Sequence, residues 1–252
     1  MRFAFARTSA EQRIPRPFAL RTLSFATGLP RRNLGAYLNE AAADRELVEH
    51  VAQAEEEYRR LSPEFAAGTL AGPQGEVLYA LVRAIRPSLV VETGTANGVS
   101  TTFLLAALER NRAGRLVSID LPFRAEDGRI ESLVDGAEID PYDLSPVPPG
   151  KEPGWIVPDR LRKRWELRLG DARDLLPAAV AEEEVGLFFH DSAHTREHML
   201  FEFETAWPRI APGGVLAADD VFQRKHDALP SFARSVGRPW RTFDGLGLIR
   251  KR

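Results

Sequence analysis

One stretch of the sequence decides the fold: Leu89-Val90-Val91-Glu92-Thr93-Gly94-Thr95-Ala96-Asn97-Gly98-Val99-Ser100. It begins with a short, continuously apolar run, which is typical of a strand that is buried on both faces of a parallel sheet. It continues into a glycine-containing turn, after which apolar residues recur at helical spacing over residues 99–110. The stretch therefore predicts a strand, a tight turn and a helix, the first unit of an α/β fold.

The same alternation continues toward the C-terminus. Apolar runs predict four further strands over residues 116–119, 165–169, 185–189 and 215–218, with helices over 174–181 and 195–207. Two last segments, 240–243 and 246–250, are joined by Asp244-Gly245 and predict a closing hairpin. We therefore expect an α/β fold with a doubly wound, mostly parallel sheet of seven strands that ends in an antiparallel hairpin.

Composition places the chain among soluble globular proteins. Its 252 residues suffice for one sizeable core, and 44% hydrophobic with 28% charged residues is ordinary for this class. No apolar run approaches the roughly 18 residues that a membrane helix needs, so we expect no membrane contact and a cytoplasmic location. The absence of cysteine excludes disulfides, thiolate metal sites and cysteine nucleophiles.

The N-terminal region differs from the rest in charge. Residues 1–39 contain seven arginines and a single acid, Glu11. Such an arm could contact nucleic acid or serve as a transit peptide, but it could also be an extended segment that packs on the domain or on a second subunit. We favour the packed arm and expect no nucleic-acid partner, because no basic stripe with interleaved aromatics follows. We divide the chain into this arm with a helical extension, 1–72, and a main domain, 73–252, and expect a homodimer.

One long segment lacks periodicity. Residues 121–164 contain seven prolines and directly follow the second predicted strand. An irregular stretch of that length in a compact domain is usually functional or disordered, so we interpret it as a lid over a substrate. Trp155 is our candidate for an apolar contact to that substrate, although it could equally pack on the domain.

A carboxylate follows every predicted parallel strand, at the edge where α/β sheets bind ligands. Besides Glu92 in the first turn, these acids are Asp120, Asp171, Asp191 and the pair Asp219-Asp220. The glycine turn is not a dinucleotide fingerprint, because Ala96 and Ser100 stand where glycines are needed. Glu92 would repel a pyrophosphate but suits a cationic ligand, and Asp120 is placed to accept hydrogen bonds from ribose hydroxyls.

Taken in order, these motifs resemble the class I S-adenosylmethionine-dependent methyltransferases over residues 74–250. The resemblance rests on Glu92-x-Gly94-x-x-x-Gly98-x-Ser100, Asp120, Gly170-Asp171 and the turn Pro212-Gly213-Gly214. Within that class the chain is similar to the catechol O-methyltransferase-like group, which includes bacterial small-molecule methyltransferases with an Asp-x-x-His motif after the fourth strand. The resemblance implies a Rossmann-like sheet, S-adenosylmethionine as cofactor and a small-molecule substrate.

The resemblance also assigns roles to the cofactor residues. Glu92, Gly94 and Gly98 would line the methionine and ribose part of S-adenosylmethionine, and Ser100 would bind its carboxylate at a helix N-terminus. Asp120 would hold the ribose and Asp171 the adenine amino group, and Asp191 would also bind the cofactor. For Asp171, a simple helix N-cap is an equally good interpretation.

A metal ion and a base complete the implied site. Asp191, Asp219 and Asp220 would bind Mg²⁺, a hard cation that prefers carboxylate oxygens. His194, three residues after Asp191, would act as the general base. Two alternatives stay open: a metal-dependent hydrolase that uses the histidines and aspartates of residues 190–220, and a non-catalytic S-adenosylmethionine-binding protein.

Overall fold

The computed structural model describes residues 16–63, 73–126, 129–135, 145–181, 183–222 and 227–252. The elements in chain order are α1 (Arg16–Thr27), α2 (Arg31–Ala43), α3 (Arg45–Leu61), α4 (Pro73–Ile85), β1 (Leu89–Thr93), α5 (Val99–Asn111), β2 (Arg115–Asp120), β3 (Phe123–Glu126), β4 (Arg129–Ser132), α6 (Asp159–Arg162), β5 (Trp165–Leu169), α7 (Ala172–Ala179), β6 (Val185–His190), α8 (Arg196–Ala206), β7 (Ile210–Ala218), α9 (Ala228–Ser235), β8 (Trp240–Phe243) and β9 (Leu246–Arg250).

Seven strands form one sheet in the order β5-β2-β1-β6-β7-β9-β8. The first five pair in parallel, and the C-terminal hairpin adds its two strands antiparallel, which confirms the predicted fold. Thr93 lies opposite Ile119 of β2 and His190 of β6, so these strands reach the same edge together. The segments that follow β1, β2, β6 and β7 therefore meet at one carboxyl edge.

Hydrophobic cores lie on both faces of the sheet. Successive side chains of a strand point to opposite faces, and accordingly Val90 packs in one core while Leu89 and Val91 pack in the other. Side chains from α1 to α5 cover the first face, and α7, α8 and α9 cover the second. Full burial of a side chain of this size contributes about 1.5–3 kcal/mol, so the parallel strands are fixed strongly in place.

The N-terminal region is helical where an extended arm was expected. Residues 16–43 form α1 and α2, whose Leu23 and Leu34 are fully buried in the same core as α4. Glu40 of α2 accepts hydrogen bonds from Arg83 Nε at 2.5 Å and from the Tyr79 hydroxyl at 2.6 Å. The arginines lie between the apolar positions of these helices. Their charge therefore made the buried apolar face hard to recognise in the sequence. The arginines of residues 1–15 lie outside the described residues.

The proline-rich segment also carries more structure than expected. β3 and β4 form an antiparallel hairpin, and α6 precedes β5. Between them, residues 145–158, called the strap below, bury Ile156 and Val157 against the domain. The expectation of an irregular segment is therefore wrong for β3, β4 and α6, whereas the strap has no helix or strand and buries isolated apolar residues between prolines without any periodic pattern. Residues 127–128 and 136–144, also within the expected lid, lie outside the described residues.

None of the helices described here is both long enough and apolar enough to cross a membrane.

Candidate active site

Two glycines shape the turn that follows β1. Gly94 and Gly98 have φ of +84° and +95°, in the left-handed region that favours glycine. A Cβ on Gly94 would lie 2.0 Å from the carbonyl oxygen of Asp191, so no other side chain fits there. Asp191 in turn donates its backbone N–H to Thr93 at 2.8 Å. The turn is therefore in direct contact with the chain that leaves β6.

Glu92 lies in β1, close to this turn. Its side chain is fully buried, and its carboxylate accepts hydrogen bonds from the hydroxyls of Ser100 at 2.7 Å, Thr101 at 2.8 Å and Ser118 at 2.6 Å. Burial raises the pKa of Glu92 to about 7 against the effect of these hydrogen bonds. Glu92 is thus held by three hydroxyl groups of the protein, and its contact with a cationic ligand stays a prediction. The Ser100 hydroxyl, expected to hold a ligand carboxylate, is directed at Glu92.

Asp120, the last residue of β2, holds the top of the same turn. Its two carboxylate oxygens accept from the backbone N–H groups of Thr95 and Ala96, each at 3.1 Å. Burial raises the pKa of Asp120 to about 6, although these backbone hydrogen bonds oppose the shift. A carboxylate has about four lone-pair sites, so Asp120 can still accept hydrogen bonds from a ligand.

The turn leaves polar groups available for a ligand. The Thr95 hydroxyl oxygen is buried and has no hydrogen-bond partner among the described residues. Gly98 caps α5 without a side-chain hydrogen bond, and the first N–H groups of a helix lack partners within it. These groups fit an anionic carboxylate beside a polar ligand. An amino-acid moiety such as that of S-adenosylmethionine has this chemistry.

Asp171 is a helix cap, as one of its two interpretations predicted. Its side chain accepts from the backbone N–H of Arg173 at 2.8 Å and so caps α7. It directly follows Gly170, whose backbone N–H donates to the backbone carbonyl of Asp120 at 2.8 Å. The cap places Asp171 one strand further from the turn, on the β5 side.

His194 lies among carboxylates on the other side of the turn. The residue is only 6% exposed, and its Nε2 lies 3.9 Å from Asp191 Oδ1. Asp219, also buried, accepts from Gln74 Nε2 at 3.1 Å. Burial and the neighbouring Asp220 raise the pKa of Asp219 to about 7, and the charge of His194 opposes this shift. The structure thus places a histidine beside negative charge at the carboxyl edge.

The three predicted metal ligands are not gathered as a metal site. Asp191, Asp219 and Asp220 have the right donor chemistry, but no group of three histidine or acidic side chains in the described part of the chain is arranged to hold a metal ion. The geometry consequently does not support the Mg²⁺ prediction, and it offers no support for the hydrolase alternative.

Two polar residues of this region were missed in the sequence. Gln74, in the first turn of α4, contacts Asp219 and also donates to the carbonyl of Asp244 at 2.6 Å. Glu202 of α8 is fully buried next to His190. Its signal was present, because Met199, Glu202, Phe203 and Ala206 have the spacing of one helical face. An acid on an otherwise apolar stripe is unusual enough to be noticed.

The strap lies on the turn after β1. Gly154 N donates to the Ala96 carbonyl at 2.9 Å, and Ile156 N donates to the Asn97 carbonyl at 3.0 Å. Trp155 Nε1 donates to Asn97 Oδ1 at 2.8 Å, and the Lys151 ammonium lies 4.4 Å from the centre of its ring. Trp155 is therefore packed on the domain, the alternative to its predicted substrate contact.

Comparison with known proteins gives one family match. A family model described as a methyltransferase domain matches residues 91–221, just over half of the chain. The match runs from β1 to the residue after Asp219-Asp220, so it includes the turn, Asp120, Asp171 and His194. No curated protein matches the sequence.

Solved structures share the fold. The O-methyltransferase TomG from Streptomyces achromogenes, involved in tomaymycin synthesis and solved with S-adenosylmethionine, has a TM-score of 0.54 at 19% identity, covering 79% of this chain and 89% of its own. The methyltransferase PaMTH1 from Podospora anserina, bound to S-adenosylhomocysteine, also gives 0.54 at 19% identity, with coverage of 82% and 87%. An O-methyltransferase from Bacillus cereus, in complex with S-adenosylhomocysteine, gives 0.50 at 20% identity, with coverage of 79% and 89%.

Proposed function

The chain belongs to the methyltransferase domain family, and on that premise we propose that it transfers a methyl group from S-adenosylmethionine to a hydroxyl group of a small molecule. The observation that carries the proposal is that two parts of the site lie side by side at one edge of the sheet. The glycine turn, with the N-terminus of α5 that follows it, lies against the chain that leads from Asp191 to a buried His194. One part of this edge fits a cofactor and the other fits proton removal.

The cofactor would bind along the turn after β1. The methionine part would lie along the turn of Gly94 and Gly98, and its carboxylate would accept from the first backbone N–H groups of α5. Ser100 would contribute its N–H, because its hydroxyl is already held by Glu92. Asp120 would accept from the ribose hydroxyls, and Asp171, while it caps α7, would accept from the adenine amino group.

The reaction would be an in-line displacement at the methyl carbon. The acceptor oxygen forms the new O–C bond while the S–C bond breaks. The electron pair of the S–C bond stays on sulfur, which gives S-adenosylhomocysteine. His194 takes the proton of the hydroxyl, and the neighbouring negative charge stabilises the imidazolium that results. Burial keeps competing water from the base and fixes its position relative to the methyl group.

Magnesium assistance is a separate proposal. It is supported by the donor chemistry of Asp191, Asp219 and Asp220, which suits a hard divalent cation, and not by their arrangement. If such an ion binds, it would orient the acceptor oxygen and lower its pKa. Chelation should then reduce turnover, with recovery on addition of Mg²⁺, while S-adenosylmethionine affinity stays constant. Unchanged turnover after chelation would leave the aspartates with roles other than metal binding.

The cofactor experiment comes first. Calorimetry on the purified protein should show binding of S-adenosylmethionine and S-adenosylhomocysteine and none of NAD. Asp120→Ala should weaken cofactor binding by about 1.5–3 kcal/mol, the range for hydrogen bonds to a charged group. Binding of NAD alone would refute the proposal.

The base is tested in a panel of hydroxyl-bearing acceptors. His194→Ala should reduce methyl transfer by roughly 10²–10⁴-fold with cofactor affinity unchanged. His50→Gln is the matched control, because His50 lies on α3, where its Nε2 is 2.6 Å from the Ile156 carbonyl. Cofactor binding without transfer to any acceptor would favour the non-catalytic alternative.

Assembly as a homodimer is also proposed. Phe18 of α1 is 57% exposed on the helix that carries the N-terminal arginines Arg16 and Arg21, and an exposed aromatic ring suits a subunit contact. Sedimentation of the full chain and of Phe18→Ser should give a dimer and a monomer respectively. A monomeric full chain would refute the dimer.

A further inference from the structure

One carboxylate collects donors from several elements around the proposed base. Glu202 Oε2 accepts from the Thr93 hydroxyl at 2.6 Å, at the end of β1, and from His190 Nδ1 at 2.6 Å, at the end of β6. Its Oε1 accepts from the Ser192 hydroxyl at 2.7 Å and from His198 Nε2 at 2.9 Å. The four donors come from two strands, the loop after β6 and the helix of Glu202 itself.

This carboxylate is both buried and ionised. Glu202 is 0% exposed. Burial alone would raise its pKa, but the charges and hydrogen bonds of His190 and His198 outweigh burial and hold the pKa below its ordinary value. A buried charge is tolerated only when it is well paired and hydrogen-bonded, and here four donors surround two oxygens. An apolar residue would fill the same space without needing hydrogen-bond partners. Packing alone therefore does not explain why a charged residue lies here.

His194 lies inside the segment that Glu202 holds. Ser192 and His198, on either side of it in sequence, both donate to the carboxylate. The ring of His190, the third donor of this segment, lies 5.2 Å from the His194 ring at an angle of 70°. The ring that touches His194 and the residues that flank it are thus attached to one point.

We infer that Glu202 is a positioning residue, which fixes the His194 imidazole through Ser192, His198 and the His190 ring. The inference rests on the proposed function, in which His194 accepts the proton of the acceptor. Glu202 itself contacts neither the turn after β1 nor Asp219 through any hydrogen bond described above. Its loss should therefore impair the chemical step rather than cofactor binding.

Glu202→Gln tests the inference with little change in shape. The amide oxygen can still accept from Thr93 and His190, but the amide nitrogen cannot accept the hydrogen bonds of Ser192 and His198, so the attachment on either side of His194 is lost. We expect kcat to fall by about 10- to 100-fold, the effect of a base displaced by roughly 1 Å, with a smaller change in KM and no change in S-adenosylmethionine affinity. Glu204→Gln is the matched control, because Glu204 is exposed on the same helix. A kcat within twofold of the wild type would overturn the inference, and so would a loss of kcat in folded protein that is matched by an equal loss of cofactor affinity.

A second readout does not depend on activity. The sequence has five histidines, so ¹⁵N labelling of histidine gives a small set of ring signals. His190 should carry its proton on Nδ1, because a carboxylate can only accept. In Glu202→Gln the His194 signals should shift while those of His50 stay in place; unchanged His194 signals would contradict the inference. If the wild type binds no S-adenosylmethionine, the proposed function fails, yet these signals still report whether Glu202 positions His194.

Ser192→Ala covers the case in which Glu202→Gln does not fold. It removes one donor to Glu202 and leaves no buried charge without partners, since three donors remain. We expect a several-fold loss of kcat, a shift of the His194 ring signals and constant cofactor affinity. Wild-type kcat together with unmoved His194 signals would overturn the inference independently of Glu202→Gln.

Discussion

At the scale of single residues, Glu92 gives the protein a dependence of stability on pH. A carboxyl whose pKa is raised to about 7 in the folded chain binds a proton that the unfolded chain has already released. Its stabilising contribution is therefore present below the unfolded pKa, near 4.5, and is lost as pH rises through about 7. A shift of this size corresponds to about 3 kcal/mol.

Glu92→Gln should remove this loss. Gln keeps the shape, and the hydroxyls of Ser100, Thr101 and Ser118 can rotate to suit an amide. Urea unfolding of the ligand-free proteins at pH 5 and pH 8 should show that the variant gains stability relative to the wild type at the higher pH. Parallel changes in both proteins would mean that Glu92 titrates normally.

Gly94 and Gly150 separate two effects of a missing Cβ. Both have positive φ, +84° and +73°, but a Cβ at Gly94 would strike Asp191 whereas one at Gly150 would meet nothing within 4 Å. Gly150→Ala should cost about 1–2 kcal/mol from the backbone alone. Gly94→Ala should cost about 1–3 kcal/mol more from the overlap and should abolish cofactor binding. Equal losses in thermal unfolding would show that the turn can move away from Asp191.

The residues at strand ends could be predicted from the sequence, but their partners could not. Asp120 and His194 follow apolar runs, and a run fixes where its strand ends. Glu92 was read as a ligand contact because its three hydroxyl partners come from α5 and from Ser118 of β2, whose position depends on strand register. Such contacts exist only in the folded chain.

At the scale of elements, the strap has a defined test. The amide N–H groups of Gly154 and Ile156 donate to the carbonyls of the turn after β1. We expect both amides to be protected from hydrogen exchange in the ligand-free protein, in contrast to a lid that orders only on binding. Exchange of these two amides as fast as that of a free peptide, followed by protection on addition of cofactor and acceptor, would restore the original lid interpretation.

The N-terminal helices should be indispensable for folding. Leu23, Leu34 and Leu47, from α1, α2 and α3, are fully buried in the same core as α4. A chain that starts at Glu64 would expose this surface, at a cost of about 1.5–3 kcal/mol for each large side chain. We expect it to be insoluble or to lack a cooperative thermal transition by circular dichroism. Wild-type unfolding and cofactor binding by the shortened chain would contradict the packing described here.

Some elements could be predicted from local sequence patterns, whereas the structure of others depends on contacts with distant parts of the chain. The parallel strands follow local periodicity, and the structure confirms them. The apolar residues of α1 are separated by arginines, and those of the strap by prolines, so neither segment has the clean period on which prediction depends. Their burial is decided by surfaces far away in the sequence.

At the scale of the whole molecule, the site depends on the order of strands. Because β1 lies between β2 and β6, segments separated by about a hundred residues along the chain meet at one edge. The positions of Asp120 and Asp191 follow from this strand order, whereas the sequence predicted only the doubly wound, mostly parallel sheet. Strand order does not explain why Asp191, Asp219 and Asp220 are not arranged as a metal site, because it does not determine how their side chains are oriented.

The position of α1 has a consequence for synthesis on the ribosome. Thr22 of α1 donates to the carbonyl of Thr242 in β8 at 3.0 Å, and the guanidinium of Arg241 lies 5.3 Å from the centre of the Phe25 ring. Helix α1 thus packs on a strand that is synthesised long after it. At typical translation rates it must wait on the order of tens of seconds for that partner. During this interval its apolar face is available to chaperones, so the yield of folded protein should depend on them more than its final stability suggests.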